Sequence, residues 1–330
     1  MIAELGHSAL MRIDPEKAHA MALRFMRFGI GAPGKYKSSR MTNLFGVNLD
    51  NPLGIAAGFD KYAKVDNSRD YGFAWIEKGS FTARGGEGNP GKRLFRLPNG
   101  GLLNRMGLNC ISAYEAADIL EDKDQTSFAV SIAKTHDPQI MGDGAIRDFQ
   151  NSYHALRHLG IYTALNLSCP NTTEGKTFEE PEPLRDLFCA LDELDDVCLE
   201  SRKSRVVKLS PNLTRDKRAK IVEVVDSRVE GYEVVNTLPS THPLFGKGGE
   251  SGPDLYPLAL ESVRHLREMT KKPIIAVGGI RSGWNMYNLR KAGADVFLVY
   301  TGFVYGSPNS GPKFAHRTLS EFDSLLEKAA

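Results

Sequence analysis

The sequence predicts a (β/α)8 barrel, an α/β fold of the TIM-barrel type, with a small N-terminal helical cap, and three observations carry that expectation. Short apolar runs alternate eight times with amphipathic stretches after residue 44. Several runs, such as Ile274-Ile275-Ala276-Val277 and Val296-Phe297-Leu298-Val299, are apolar throughout, as parallel strands buried on both faces should be. The length, 330 residues at 41% hydrophobic and 25% charged, suits one large barrel with an appendage.

Taken in order, the chain opens with a distinct unit. Residues 1–42 hold seven basic and three acidic residues, against a whole-chain net charge of +2, so the remainder is slightly acidic. Asp14 followed by Pro15 and Glu16 predicts a helix start, with Asp14 as N-cap and Pro15 at the first helical position. Ala18, Met21, Ala22, Phe25 and Met26 then share one apolar face, and Phe28, Gly29 and Gly31 end the helix. Such a unit either packs on its own core or forms an amphipathic cap that touches a membrane surface. The barrel is expected to fill 43–330, with strands at 53–57, 73–78, 128–133, 161–167, 205–210, 232–236, 273–277 and 295–299. Helices should follow at 61–70, 112–122, 145–158, 184–200, 215–227, 256–269, 283–292 and 314–328. Three loops after strands are long, 79–104, 168–183 and 237–255, and loops of that length in a barrel serve as lids or binding loops.

Composition excludes several classes. A balance of 42 basic against 40 acidic residues lacks the excess a nucleic-acid binder needs. No apolar run approaches a membrane span, and the first eleven residues do not read as a signal peptide. Cys110, Cys169, Cys189 and Cys198 form no CxxC pair and no HExxH occurs, so neither disulfides nor a metal is expected and the compartment reads as reducing. Gly86-Glu87-Gly88-Asn89-Pro90-Gly91 spells GxGxxG but opens no helix, and Gly31-Ala32-Pro33-Gly34-Lys35 lacks the P-loop spacing.

Two signals point to chemistry. Val277-Gly278-Gly279-Ile280 and Tyr300-Thr301-Gly302 close the seventh and eighth strands, where barrels commonly bind phosphate through backbone N–H groups. Asn104, Asn166, Asn171 and Asn236, with Lys61 and Thr237, lie at strand ends, where paired amide donors and acceptors suit a planar heterocycle with alternating N–H and C=O groups. Cys169, between two of these amides, is a candidate for proton abstraction from carbon, although a loop cysteine is also compatible with a small buried residue.

These residues resemble the dihydroorotate dehydrogenases over nearly the whole chain. The matching stretches are Asn51-Pro52-Leu53-Gly54-Ile55-Ala56-Ala57-Gly58-Phe59-Asp60-Lys61, Leu94-Phe95-Arg96-Leu97-Pro98, Asn104-Arg105-Met106-Gly107, Asn166-Leu167-Ser168-Cys169-Pro170-Asn171-Thr172, Gly248-Gly249-Glu250-Ser251-Gly252 and Val277-Gly278-Gly279-Ile280, in the family's order. The resemblance implies FMN as cofactor, dihydroorotate oxidised to orotate in pyrimidine biosynthesis, and Cys169 as the base. It assigns Ala57, Gly58, Lys61, Ser80, Ser131, Asn166, Lys208, Ser251, Gly252, Gly278, Gly279, Tyr300 and Thr301 to FMN. Lys61, Asn104, Asn166, Asn171, Asn236 and Thr237 would hold the substrate. The Asp14–His19 stretch is similar to class 2 members, whose two-helix cap forms a quinone tunnel; His19, Arg96 and Tyr300 fall at tunnel positions, implying a quinone acceptor and a peripheral place on the cytoplasmic side of the inner membrane. Cys169 and Leu108 instead match the soluble class 1, and Ser131 stands where class 2 usually has Asn. Alternatives left open are a related dihydropyrimidine as substrate, fumarate or another soluble acceptor, and a binding barrel without flavin.

Overall fold

The computed structural model describes residues 2–38, 41–167, 178–198, 201–305 and 311–329. Two helices come first, α1 (Ile2–Leu10) and α2 (Pro15–Arg27). Asp14 caps α2 as expected, its carboxylate accepting from the amides of Glu16 and Lys17, which leaves fewer helix N–H groups unpaired. The buried face differs by one turn position from the expected one. Ala18, Leu23 and Met26 are buried while Met21 faces outward, because α2 lies across the strand at Leu94–Arg96 and not on a core of its own.

A hairpin follows, β1 (Thr42–Leu44) and β2 (Val47–Leu49), then β3 (Leu53–Ile55), β4 (Ile76–Phe81), β5 (Leu94–Arg96) and β6 (Leu102–Asn104). Next come α3 (Ala113–Leu120), β7 (Phe128–Ile132), α4 (Asp143–Leu156), β8 (Tyr162–Asn166), α5 (Pro181–Val197), β9 (Ser204–Leu209), α6 (Arg215–Val225) and β10 (Gly231–Val234). The chain ends with β11 (Leu238–His242), β12 (Gly246–Ser251), α7 (Leu255–Met269), β13 (Ile274–Val277), α8 (Gly283–Ala292), β14 (Val296–Val299), the short α9 (Thr301–Tyr305) and α10 (Phe314–Lys328).

Among the described residues, β3, β4, β7, β8, β9, β10, β13 and β14 pair in that order as parallel neighbours, and β14 returns to β3 to close the barrel. The α/β barrel is thus as expected, and its apolar strands are buried apart from Val277, which ends β13 at the mouth. The β1–β2 hairpin stops the amino end of the barrel. Phe45 packs edge-on against Tyr162, with ring centroids 5.7 Å apart, beside Leu44, Leu49 and Trp75. The carboxyl ends of the strands remain as the face where a site can form.

Three expectations are corrected. The second strand runs 76–81 and not 73–78. Glu77, Lys78 and Gly79 look like a strand end in sequence, yet Glu77 points into the barrel and Lys78 is held by Asp66 at 3.1 Å and Asp60 at 3.8 Å, so the ladder continues through them. The helix expected at 61–70 is replaced by a loop and a single 3-10 turn at Ser68–Tyr71. Buried Asp60 accounts for this. Its carboxylate accepts from the amides of Lys64 (3.0 Å) and Val65 (2.8 Å), an arrangement that competes with helical pairing. The long loops 79–104 and 237–255 contain strands of their own. They join as one antiparallel sheet in the order β11-β12-β6-β5, which roofs part of the barrel mouth.

Candidate active site

A cavity opens at the carboxyl ends of the strands, between the barrel, the roof sheet and α2. Its wall includes Ala56, Ala57, Gly58, Lys61, Ser80, Asn104, Asn166, Lys208, Asn236, Thr237, Ser251, Gly252, Gly278, Gly279, Tyr300 and Thr301, together with Glu16 and His19 of α2. Residues from the first, second, fourth, fifth, sixth, seventh and eighth barrel strands or the loops after them therefore meet in one place. Cys169 and Asn171 lie outside the described residues.

On one side the polar groups form a chain. Asn166, the last residue of β8, donates from Nδ2 to Ser80 Oγ at 3.1 Å and accepts at Oδ1 from Asn236 Nδ2 at 3.1 Å. Asn236 Oδ1 accepts the amide of Thr237 at 2.8 Å. Ser80 is steadied from behind by Ser131, their hydroxyl oxygens 2.8 Å apart; Ser131 is fully buried and stands behind the wall, not on it. Each amide is thus fixed by its neighbour before any ligand enters, which lowers the ordering cost of recognition.

Opposite this chain, the Asp60 loop presents Lys61, whose ammonium donates to Asn109 Oδ1 at 2.8 Å. Asn109 in turn donates to the Tyr62 hydroxyl at 3.2 Å. Asn109 escapes the sequence argument, which followed amides at strand ends; a second amide five residues after Asn104 was the available signal. Asn104 closes the roof side, donating to the Gly249 carbonyl at 2.9 Å from the end of β6.

The third side is backbone. Gly278 and Gly279 turn away from β13 at φ 116° and 69°, and a Cβ on Gly279 would stand 2.5 Å from that of Tyr256, so glycine is required there. Their amides meet no acceptor among the described residues. Across from them, the Ser251 and Thr301 hydroxyl oxygens lie 2.8 Å apart and tie the roof to the end of β14.

The sequence-derived tunnel set divides. His19 Nε2 donates to the Phe59 carbonyl at 2.8 Å, and Nδ1 lies 3.5 Å from the Tyr300 hydroxyl, with the two rings stacked 6.0 Å apart. Burial, with the Lys61 charge added to it, pushes the imidazole down to about 4, so it is neutral at physiological pH. Burial raises the Tyr300 phenol, with the Glu16 charge acting in the same direction. Arg96 is not on the wall. It donates to the Ile13 carbonyl at 2.6 Å and the Leu10 carbonyl at 3.1 Å, and so binds the two helices to the roof. Glu16 reaches the wall instead, held by Arg93 Nε at 3.1 Å.

Comparison with known proteins gives a consistent result. The family model described as dihydroorotate dehydrogenase matches residues 39–326. The chain is 32% identical over 328 residues to dihydroorotate dehydrogenase (quinone) of Christiangramia forsetii, covering 93% of this chain and 96% of the relative. It is 33% identical to the protein of the same name from Thermus thermophilus, covering 97% and 96%, and 31% identical to the mitochondrial one of Mus musculus, covering 99% and 87%. Among solved structures, dihydroorotate dehydrogenase of Eimeria tenella in complex with ferulenol superposes with a TM-score of 0.85 at 27% identity, covering 96% of this chain and 93% of that one.

Proposed function

The chain belongs to the dihydroorotate dehydrogenase family, and on that premise we propose that it oxidises dihydroorotate to orotate in pyrimidine biosynthesis, uses FMN, and passes the electrons to a quinone. The observation that carries this reading is the cavity in which an ordered amide chain, Lys61 and a two-glycine turn, its amides without an acceptor among the described residues, face one another.

The residues suit FMN. The amides of Gly278 and Gly279 offer donors to a phosphate, while Lys208, Asn166 and Ser80 offer polar groups to the edge of a flat ring. Bound there, the flavin supplies a two-electron acceptor. The chain supplies the rest. Lys61 gives a fixed positive charge suited to the substrate carboxylate. Asn104, Asn166, Asn236 and Thr237 are placed to read the ring's N–H and C=O groups, and Asn171, outside the described residues, is proposed to complete that set. Cys169, also outside the described residues, is proposed as the base that removes the proton from substrate carbon. A thiol with an ordinary pKa of about 8.5 is a few per cent thiolate at neutral pH, so it needs less activation than a serine hydroxyl.

The quinone reading rests on the edge of the cavity where α2 contributes Glu16 and His19. His19 and Glu16 face Tyr300 across it, giving an approach between helices and barrel that is separate from the amide chain. The residues 1–42 are proposed as a cap that rests on a membrane. Met21, Phe28 and Ile30 are exposed there beside exposed Arg24 and Arg27, a combination suited to an anionic lipid surface. No helix among the described residues is long and apolar enough to cross a membrane.

The decisive experiment assays dihydroorotate oxidation with a ubiquinone analogue, fumarate and NAD in parallel, and follows flavin reduction in single turnover for the wild type and Cys169→Ser. Quinone should be the preferred acceptor, and the variant should keep FMN but reduce it at least ~100-fold more slowly near neutral pH, as expected for loss of a general base. Faster turnover with fumarate would reject the quinone, and equal reduction rates would reject Cys169 as the base.

A further inference from the structure

The interior of the barrel beneath the cavity holds a charge cluster that the proposed chemistry leaves unexplained. Lys208 on β9 is in register with Asn166 of β8 on one side and with Glu233 of β10 on the other. Its ammonium lies 2.6 Å from Glu233 Oε1 and 3.7 Å from Glu77 Oε1, and both carboxyl groups are fully buried. Glu77 Oε2 accepts from the Tyr162 hydroxyl at 2.9 Å, and Tyr162 accepts from the Trp75 indole at 3.3 Å. Apart from the ion pair with Lys208, neither oxygen of Glu233, nor Oε1 of Glu77, has a hydrogen-bond donor among the described residues. Lys78, the neighbouring charge on β4, faces outward to Asp60 and Asp66. The groups turned inward are therefore one cation, two carboxyls and one phenol.

Two buried carboxylates against one ammonium leave an uncompensated charge in an apolar interior, which is costly enough that a proton is taken up instead. A carboxylic O–H between the two glutamates also supplies the missing donor.

We propose that Glu77 and Glu233 share one proton and together fix Lys208 at the inner wall of the cavity, with Glu233 as a positioning residue for that lysine. Burial, and then the charge of Glu233, raises the Glu77 carboxyl, and the tyrosine of the same cluster is raised by burial and by both glutamates. The two carboxylates hold the Lys208 ammonium charged despite its burial. The cavity floor is then neutral overall, while still offering an N–H to a ring placed above it. That last consequence rests on the flavin reading given above.

Infrared spectroscopy in H2O and D2O tests the shared proton, and dye-equilibrated reduction of the bound flavin tests its consequence. The wild type should show a protonated-carboxyl band at pH 8 that both Glu77→Gln and Glu233→Gln abolish, since the remaining carboxylate then pairs one to one with Lys208. Glu77→Gln leaves one carboxylate against Lys208 and so keeps the floor neutral; it should leave the flavin's reduction equilibrium constant within about threefold, whereas two ionised carboxylates in the wild type would make the same substitution raise it by about tenfold or more. A band that survives in Glu233→Gln, or a rise of about tenfold or more in Glu77→Gln, overturns the proposal. Should Glu77→Gln not accumulate, the bands of the wild type and Glu233→Gln decide. If the wild type takes up no flavin, the functional reading falls, whereas the band in flavin-free protein still decides the carboxyl pair.

Discussion

His19 shows how one side chain ties the helices to the chemistry. It spans from α2 to the Phe59 carbonyl and the Tyr300 ring, and its imidazole is pushed down to about 4 from an ordinary 6.5. Because the unfolded chain takes the proton first, the stability this residue contributes is complete above about pH 6.5 and is lost as pH falls toward about 4. Urea unfolding across that window should show wild-type stability declining more steeply than that of His19→Gln; parallel curves would mean that the ring carries a proton in the folded state. The wall residues were readable singly for a simple reason. Asparagines that end strands stand out in sequence, as Asn104, Asn166 and Asn236 do, and all three line the cavity. Asn109 left only the faint signal of a second amide and Glu16 left none, because Asn109 acts through Lys61 and Glu16 is held at the wall by Arg93, partners distant in sequence.

Among the elements, those whose apolar pattern matches their own period were legible, and those stabilised by remote side chains were not. The apolar runs of β13 and β14 declare themselves, as does α2 through Asp14 and Pro15. The roof sheet does not, since β6 is only three residues long and β12 is interrupted by glycines, and the two pair only because two loops far apart in sequence meet. Arg96 belongs to this scale. Its guanidinium takes the Leu10 and Ile13 carbonyls, one of them at the exposed carboxyl end of α1, so it acts as a clasp between roof and helices. Arg96→Leu should weaken that docking by ~2 kcal/mol, the usual worth of charge-assisted bonds of this kind. Hydrogen exchange should accelerate at residues 10–14 while the barrel strands keep their protection; equal protection throughout would show that packing alone holds the helices.

For the molecule as a whole, the charge division seen in sequence acquires a geometry. The basic first 42 residues set exposed Met21, Phe28 and Ile30 beside cationic side chains, on the segment that also brings Glu16 and His19 to the cavity wall. Vesicles containing anionic lipid should co-sediment the protein in low salt, neutral vesicles much less, and Met21→Ser/Phe28→Ser should weaken both; equal binding by the double variant would place the contact elsewhere. The roof sheet has a different consequence, for tolerance of insertions and deletions. Gly249 opposite Asn104 and Ser251 opposite Leu102 set which face every roof residue shows. Deleting one residue between 246 and 251 would invert that alternation and turn Ser251 away from Thr301, whereas the 243–245 tip lies outside the ladder. Length variation in this protein is therefore expected to collect at the tips of its roof hairpins and to stop where the ladder begins.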